Sequence, residues 1–367
     1  MGIHNLNQFY TKHLYKIKDY GLELADILGR KPVIGIDAMV LLHKYLLIEA
    51  ENLCKIEGYI PNIAISCIVK HIKSFYMYGF EVYVVFDGKL PNIKFGERER
   101  REERRRIALE NQKWESAFKI TPDIINAFIQ KLVDEGIQYV VAPYEADPQL
   151  YYMEKSHIID LVYTVDTDLI AYGCKRIIYG IEEDSIYIYE NSSDNHIIDV
   201  EIEKVKDAHG TYYRCIRMRE FPEFNQYDTA HYRILSVLLG NDYVKKIPGL
   251  GPVKIKKIME NLKLCFSDKT LKSVDYRRTI EGILEDESVQ KCLESYSKKC
   301  KRSVKELKEE FKANFVECCN LFDNYPIFDV RDRQIKNTCG NTIDIENVMY
   351  RRLFSTPTAY TTQMITE

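Results

Sequence analysis

Seven carboxylates stand out by where they fall: Asp37, Asp87, Glu145 with Asp147, Asp166 with Asp168, and Asp242. Four of these places follow short apolar runs. Val33-Ile34-Gly35-Ile36 runs into Asp37, and Val82 to Phe86 runs into Asp87. Tyr139 to Ala142 leads through Pro143-Tyr144 to Glu145, and Leu161 to Val165 runs into Asp166. Singly, each acid has an ordinary explanation. An Asp at a strand end commonly caps the next helix. Asp147 before Pro148 reads equally as an N-cap with proline at the first helical position. Asp242 after Leu239-Gly240-Asn241 reads as a helix C-terminal turn.

Together they say more. Two bare carboxylates about 4 Å apart repel by roughly 4 kcal/mol at an effective dielectric near 20. Six or seven at one place therefore require protons or bound cations. An all-oxygen set without His or Cys selects hard ions, Mg²⁺ first and Mn²⁺ as its substitute. Magnesium keeps several waters, so some of the acids would hold metal-bound water instead of metal. Two such ions about 4 Å apart form a clamp for in-line attack of water on a phosphodiester.

The elements that must position these acids are strands buried on both faces, because the runs are continuously apolar and β-branched or aromatic. Helical stretches separate them: Ile63 to Met77, and Asp123 to Glu135 started by Thr121-Pro122 and stopped by Gly136. Strand, helix, strand, helix predicts an α/β fold, a mostly parallel twisted sheet with helices on both faces. In such sheets ligands bind outside the carboxyl ends of the strands, the edge to which all four runs deliver an acid. Arg176 to Glu190 reads as a strand and hairpin, and residues 200 to 230 read as irregular. The chain turns helical again from Ala230. About Asp286 to Phe322 is charged and helical, with no evident catalytic residue.

The segment Lys89 to Ile120 interrupts the rhythm with a charged helical insertion. At 100° per residue Lys94, Arg98, Arg101 and Arg105 share about 60° of arc, with Glu99 and Glu103 on the far side. A solvated helix laced by Glu97–Arg101 and Glu102–Arg106 pairs also accounts for this pattern. A cationic stripe seven residues after an acid of this type points towards phosphate contact. Further on, His231 to Leu239 is an apolar helical run. A glycine-rich turn follows at Gly249-Leu250-Gly251, then Lys254 and Lys256 on the next helix. Backbone amides of such a turn can approach a phosphate closely. An ordinary helix hairpin with a glycine cap fits equally.

Composition bounds the function class. The chain has 367 residues and a net charge of −3, so nucleic-acid binding must come from local basic patches and not from a global field. Ten cysteines lie without a metal-binding spacing, which reads as reduced thiols in an intracellular protein. The first residues carry no apolar secretory core, and no run reaches the ~18 apolar residues of a membrane span.

With these in hand, the chain resembles the flap-endonuclease/XPG superfamily of 5′ nucleases, and within it the exonuclease 1 branch. The matching residues are Met1-Gly2-Ile3; Ile36-Asp37 with Leu42-His43-Lys44; Val85-Phe86-Asp87-Gly88; Ala142 to Asp147; Thr164 to Leu169 with Tyr172-Gly173-Cys174-Lys175; Gly240-Asn241-Asp242-Tyr243; and Gly249-Leu250-Gly251. The resemblance implies a PIN-like nuclease core over 1–262 and a helical extension packed on it over 263–367. Within the core it implies an N-terminal region 1–88, a helical arch 89–135, an internal region 136–230 and a helix-two-turn-helix 231–262. It implies metal ligands at all seven acids and scissile-phosphate cations at Lys94 and Arg101. Gly2 would lie near the site after Met1 removal, and His43 near the wedge against which forked DNA packs. The turn Gly249 to Gly251 would grip duplex through a potassium ion.

Three features depart from the family's pattern. Asp87 and Glu145 are 58 positions apart, a shortened arch. The interval from Asp168 to Asp242 is long, with the excess around 184–228. Met39 and Leu41 stand where bulky aromatic wedge residues are usual. The implied activity is a magnesium-dependent 5′→3′ exonuclease on duplex DNA with 5′-flap endonuclease activity. The implied partners are DNA with 5′ ends, nicks or flaps, and mismatch-repair or recombination proteins, in the nucleus, for a monomer off the membrane. The alternatives are a flap endonuclease of replication and base-excision repair, and a catalytically silent DNA-junction-binding protein.

Overall fold

The apolar runs pair at the centre of a seven-stranded sheet. The strands are β1 (His13–Lys16), β2 (Val33–Asp37), β3 (Glu81–Phe86), β4 (Gln138–Val141), β5 (Leu161–Tyr163), β6 (Arg176–Glu182) and β7 (Ser185–Glu190), in the order β1-β7-β6-β5-β2-β3-β4. The five strands from β6 to β4 run parallel; β7 and β1 add an antiparallel edge. This is a computed structural model. It describes residues 3, 5–8, 10, 13–182, 185–190, 200–206, 212–218, 228–266, 275–344 and 353–354; residues 7, 13, 93, 95–98, 182, 200–206, 212–218 and 263–266 are described by backbone alone.

Strand side chains alternate between two cores. Val82, Val84 and Phe86 face the helices Asn62–Met77 and Pro122–Asp134, where Phe86 meets Phe128 with ring centroids 5.3 Å apart. Val85, Val140 and Val162 face the other core, with Leu150 and Met153 of the helix Ala146–Lys155. That helix approaches closely because β2 carries Gly35: a Cβ there would sit 2.4 Å from Ile159 Cδ1 and 2.8 Å from Leu150 Cδ2. Each fully buried Val or Phe is worth roughly 1.5–3 kcal/mol. That burial fixes the strand ends, while the repulsion among the acids placed there still calls for protons or cations.

Several elements differ from the sequence reading. The helix Pro122–Asp134, capped by Thr121 and buried through Ile124, Phe128 and Leu132, belongs to the sheet layer. The stretch 89–135 thus includes a helix of the sheet layer; ahead of it lie the helix Phe95–Glu110, a short turn Trp114–Ala117 and their connections. Residues 200 to 230 are not wholly irregular, since β8 (Val200–Lys206) and β9 (Tyr212–Met218) pair antiparallel. The extension 263–367 is not purely helical. After the helix Val304–Asn324 the chain forms the hairpin of β10 (Pro326–Asp329) and β11 (Gln334–Asn337). This extension packs on the core: Gln149 and Tyr152 bond to Phe328 and Asp329, and Arg233 forms a bidentate pair with Asp323 at 2.7 and 2.8 Å. No described helix is long and apolar enough to cross a membrane.

Candidate metal centre

The strand-end acids converge, and backbone amides fix several of them. Asp37 ends β2 and caps the next helix, its Oδ1 accepting from Met39 N at 2.8 Å; its Oδ2 accepts from the Thr164 hydroxyl at 3.0 Å. Asp87 Oδ1 accepts from Ala146 N at 2.8 Å. Gly88 makes that possible. Its amide donates to Tyr144 O at 2.5 Å, and a Cβ there would lie 2.0 Å from Ala142 O. Asp166 Oδ1 accepts from Asp168 N at 3.0 Å. Asp147 is not an N-cap; Glu145 holds that position and Asp147 lies in the first turn.

Asp147, Asp166 and Asp168 each offer an oxygen within 4.8 Å of the others. Asp147 Oδ1 and Asp168 Oδ1 are buried and have no hydrogen-bond partner. Bare carboxylate oxygens of this kind fit a hard divalent cation, since an unsatisfied buried acceptor otherwise carries its full desolvation cost. The electrostatics agree. Burial, and then the neighbouring Asp87, pushes the Asp37 carboxyl up to about 7; burial pushes Asp87 to about 6. Burial and the mutual charge of the cluster hold Asp147 and Asp168 well above the usual carboxylate range.

Glu145 and Asp242 are tied to a cation. Lys94 Nζ pairs with Glu145 Oε1, and with Asp242 Oδ2 at 3.0 Å, and lies 4.7 Å from the centre of the Tyr243 ring. Burial alone would lower the Lys94 ammonium, but Glu145, Asp242 and Asp168 outweigh it and keep it firmly charged. Arg101 reaches Asp242 Oδ2 at 3.4 Å. Burial works against the Asp242 carboxylate, yet Lys94 and Arg101 leave its pKa lowered.

Lys94, Arg101 and Arg105 line a cavity of 450 Å³ whose floor is Asp87 and Glu145. The Phe95–Glu110 helix thus turns Arg101 and Arg105 to the cavity together with one acid, Glu102. On its outer face the exposed Arg106 pairs with Glu103 and Glu110 instead of the Glu102 pairing anticipated from spacing. The Arg98 side chain and Gly2 lie outside the described residues. Ile3 N donates to Thr167 Oγ1 at 2.8 Å, which places the start of the chain beside the Asp166–Asp168 pair. His43 lies under the basic helix, 6.1 Å from the Phe118 ring; enclosure there, with Arg105 and Arg101, lowers its imidazole pKa. Leu41 is buried in the core and takes no part in a wedge. Gly249 and Gly251 lie at the turn before the helix Pro252–Phe266, and Lys254 and Lys256 are exposed on that helix.

Two residues that sequence reasoning left without a role complete the rim. The phenols of Tyr243, at 2.7 Å, and of Tyr325 both donate to Glu145 Oε2. Burial, and then Glu145 itself, raises both phenols well above their ordinary value, so both stay protonated donors. Tyr243 follows Asp242 directly and was open to notice. Tyr325 carries no local signal, because 180 positions separate it from Glu145.

Family comparison bears on the whole arrangement. The XPG N-terminal domain matches residues 1–108 and the XPG I-region matches residues 136–242, together more than half of the chain. The chain belongs to the XPG family. This XPG family member is 28% identical over 257 residues to exonuclease 1 of Oryza sativa subsp. japonica, covering 66% of this chain and 28% of that protein. It is 24% identical over 371 residues to exonuclease 1 of Xenopus laevis, covering 95% of this chain and 42% of the relative. The chain therefore spans less than half the length of either. Among solved structures, the catalytic core of Rad2 in complex with DNA substrate (complex III) superposes with a TM-score of 0.52 at 18% identity, over 88% of this chain and 86% of that one. That likeness shows a shared fold. The two XPG regions leave 109–135 unmatched, the second half of the interval read as an arch.

Proposed function

We propose that this XPG family member is a magnesium-dependent, structure-specific 5′ nuclease acting on DNA. In this reading it is a 5′→3′ exonuclease on duplex with 5′-flap endonuclease activity, working in nuclear DNA repair or recombination alongside mismatch-repair or recombination proteins. One observation carries the reading: two bare, buried aspartate oxygens, Asp147 Oδ1 and Asp168 Oδ1, cluster with Asp166, and the Lys94 whose charge reaches Asp168 lines a cavity with Arg101, Arg105, Asp87 and Glu145. Acid floor and cationic roof suit a phosphodiester held between metal ions and basic side chains. The relatives point the same way: two are named exonuclease 1, and the Rad2 core was solved with a DNA substrate.

Asp37, Asp87, Glu145, Asp147, Asp166, Asp168 and Asp242 would hold two Mg²⁺ ions, with Mn²⁺ as a substitute, some of them through water. Bound there, the ions supply charge stabilisation and activate the attacking water. Lys94 and Arg101 lie where they can turn from Glu145 and Asp242 to the scissile phosphate and stabilise its developing charge. Tyr243 and Tyr325 orient Glu145. Residues 1–262 would be the catalytic core and 263–367 its packed extension.

The test is cleavage of end-labelled blunt, recessed, nicked and flapped duplexes, read at nucleotide resolution in Mg²⁺ and in EDTA. Mononucleotide release from 5′ ends in Mg²⁺ supports the reading. Flap cleavage without resection of recessed ends favours the flap-endonuclease alternative. Binding without cleavage in Mg²⁺ favours the silent junction-binding alternative.

A further inference from the structure

The resemblance implies a potassium ion at the glycine turn, and the residues there do not fit one. Such an ion would need carbonyl oxygens of the turn: those of Ile247 and Gly251 each accept one backbone hydrogen bond and keep a second lone pair, whereas that of Gly249 is already met by a cation. Ile247 O accepts from Leu250 N and Gly251 O from Ile255 N, each at 3.1 Å. Gly249 O accepts from the Lys254 ammonium, also at 3.1 Å. An ammonium has the charge of a potassium ion and is close to it in size. Lys254 thus places the chain's own cation on the carbonyl that a bound ion would use.

Lys254 is held from a second side. Its Nζ lies 3.3 Å from Cys292 Sγ, on the helix Glu287–Cys300 of the C-terminal extension. Between that helix and the glycine turn lies a cleft of 210 Å³. Its far wall is built from Lys291, Ser295 and Lys299, which fall four residues apart and so share one helix face. No carboxylate lines it. The nearest acid partner, Glu287, pairs with Lys291 where both side chains are largely exposed, 83% and 70%. A solvent-exposed i,i+4 pair of that kind contributes little and yields readily to a phosphate.

We propose that this cleft seats the duplex backbone by means of the chain's own lysines. The Lys254 ammonium stands in for the potassium ion, and Lys291 and Lys299 supply phosphate contacts from the C-terminal extension. The proposal rests on the nuclease reading only in taking DNA as the ligand; it makes the extension part of the duplex grip and the grip independent of potassium.

The experiment measures binding of a fluorescent blunt duplex by anisotropy in EDTA, where nothing is cut. Potassium, sodium and tetramethylammonium chlorides are compared at equal ionic strength. Wild-type affinity is expected to agree within about twofold across the three salts. Lys291→Ala with Lys299→Ala, shown by thermal melting to be folded, is expected to weaken binding and to lower the slope of log affinity against log salt by about two. Binding severalfold tighter in potassium than in sodium overturns the proposal while leaving the nuclease reading intact. An unchanged slope and affinity in the double variant also overturns it. Failure to bind duplex in any of the salts overturns both readings.

Discussion

The acid floor and the cationic roof of the cavity face each other, but they are held in different ways. Two phenols hold Glu145, and backbone amides hold three of the other acids: Met39 N on Asp37, Ala146 N on Asp87 and Asp168 N on Asp166. Those amides sit at strand ends or first helical turns, fixed by the core beneath. Long side chains of one helix reach down to form the roof. Arg101 makes its floor contact at 3.4 Å, and Lys94 balances between Glu145 and Asp242. The floor is preorganised by the fold, whereas the roof must reorganise when a phosphate enters. Damage to the floor should therefore remove chemistry outright, and damage to the roof should weaken it by degrees.

The sharpest test of that contrast is at the floor. Asp166→Ala or Asp168→Ala should lower cleavage at least ~10³-fold, since the metal-binding oxygens are lost. Duplex binding in EDTA should persist. Near wild-type cutting in Mg²⁺ by the double variant would sink the site assignment. At the roof, Lys94→Ala and Arg101→Ala should each lower the single-turnover rate by about 10²-fold, the scale for removing one preorganised charge from a transition state. Duplex affinity should change far less. Equal losses in rate and affinity would instead make the stripe a general DNA-binding face.

Floor and roof also differ in titration. The Asp37 and Asp87 carboxyls are raised to about 7 and about 6 by burial and mutual charge. Their unfolded-state values lie near 4. Between about pH 4 and pH 7 these two groups therefore bind more protons in the folded metal-free protein than in the unfolded chain, and their contribution to stability falls as pH rises. In EDTA the melting temperature should drop by several degrees across that window. Mg²⁺ should raise it more at pH 8 than at pH 5, and Asp37→Asn should flatten the slope. A metal-free melting temperature that climbs from pH 4 to pH 7 would contradict the buried-cluster account. A smaller effect is expected at Tyr325. Tyr325→Phe removes one of two phenols on Glu145 and leaves Tyr243, a loss of about 1 kcal/mol or roughly fivefold in rate. The Mg²⁺ midpoint should rise with it; if rate and midpoint both stay put, the extension has no part in the site.

The contrast also explains what the sequence could reveal. The floor was legible because each acid ends a continuous apolar run, a local pattern that marks a buried strand. The Lys94, Arg101 and Arg105 stripe was legible because a helix fixes which residues share a face. Tyr325, Thr164 and the tight passage at Gly88 were not, because their roles arise only when distant segments meet. The β8–β9 pair is a different case: Val200-Glu201-Ile202-Glu203 alternates in the manner of a strand, but the surrounding charge masked it. The proposed stand-in for potassium rests on a single side chain, Lys254, whose reach back to Gly249 no motif encodes.

The smallest effect is expected where the roof is thinnest. The helix Pro122–Asp134 belongs to the sheet layer, so the inserted segment is confined to the residues between Gly88 and Thr121. Beyond the Phe95–Glu110 helix it offers only the turn Trp114–Ala117, in which no residue is buried. So short a segment keeps Lys94 and Arg101 over the floor and leaves little chain to enclose a single strand. Charge steering by the stripe can draw 5′ phosphates in without a closed hole. Recessed and nicked 5′ ends should then be cut at least as well as long flaps, with cleavage near the single-strand/double-strand junction. A flap whose 5′ end carries a bulky protein should be cut within about twofold of a free flap, because steering acts on the phosphates nearest the junction and not on the end. Strong inhibition by the blocked end, with a preference for long flaps over recessed ends, would show that the strand threads. The roof would then have to close around DNA more fully than the helix Phe95–Glu110 now does, and the flap-endonuclease reading would gain at the expense of the exonuclease one.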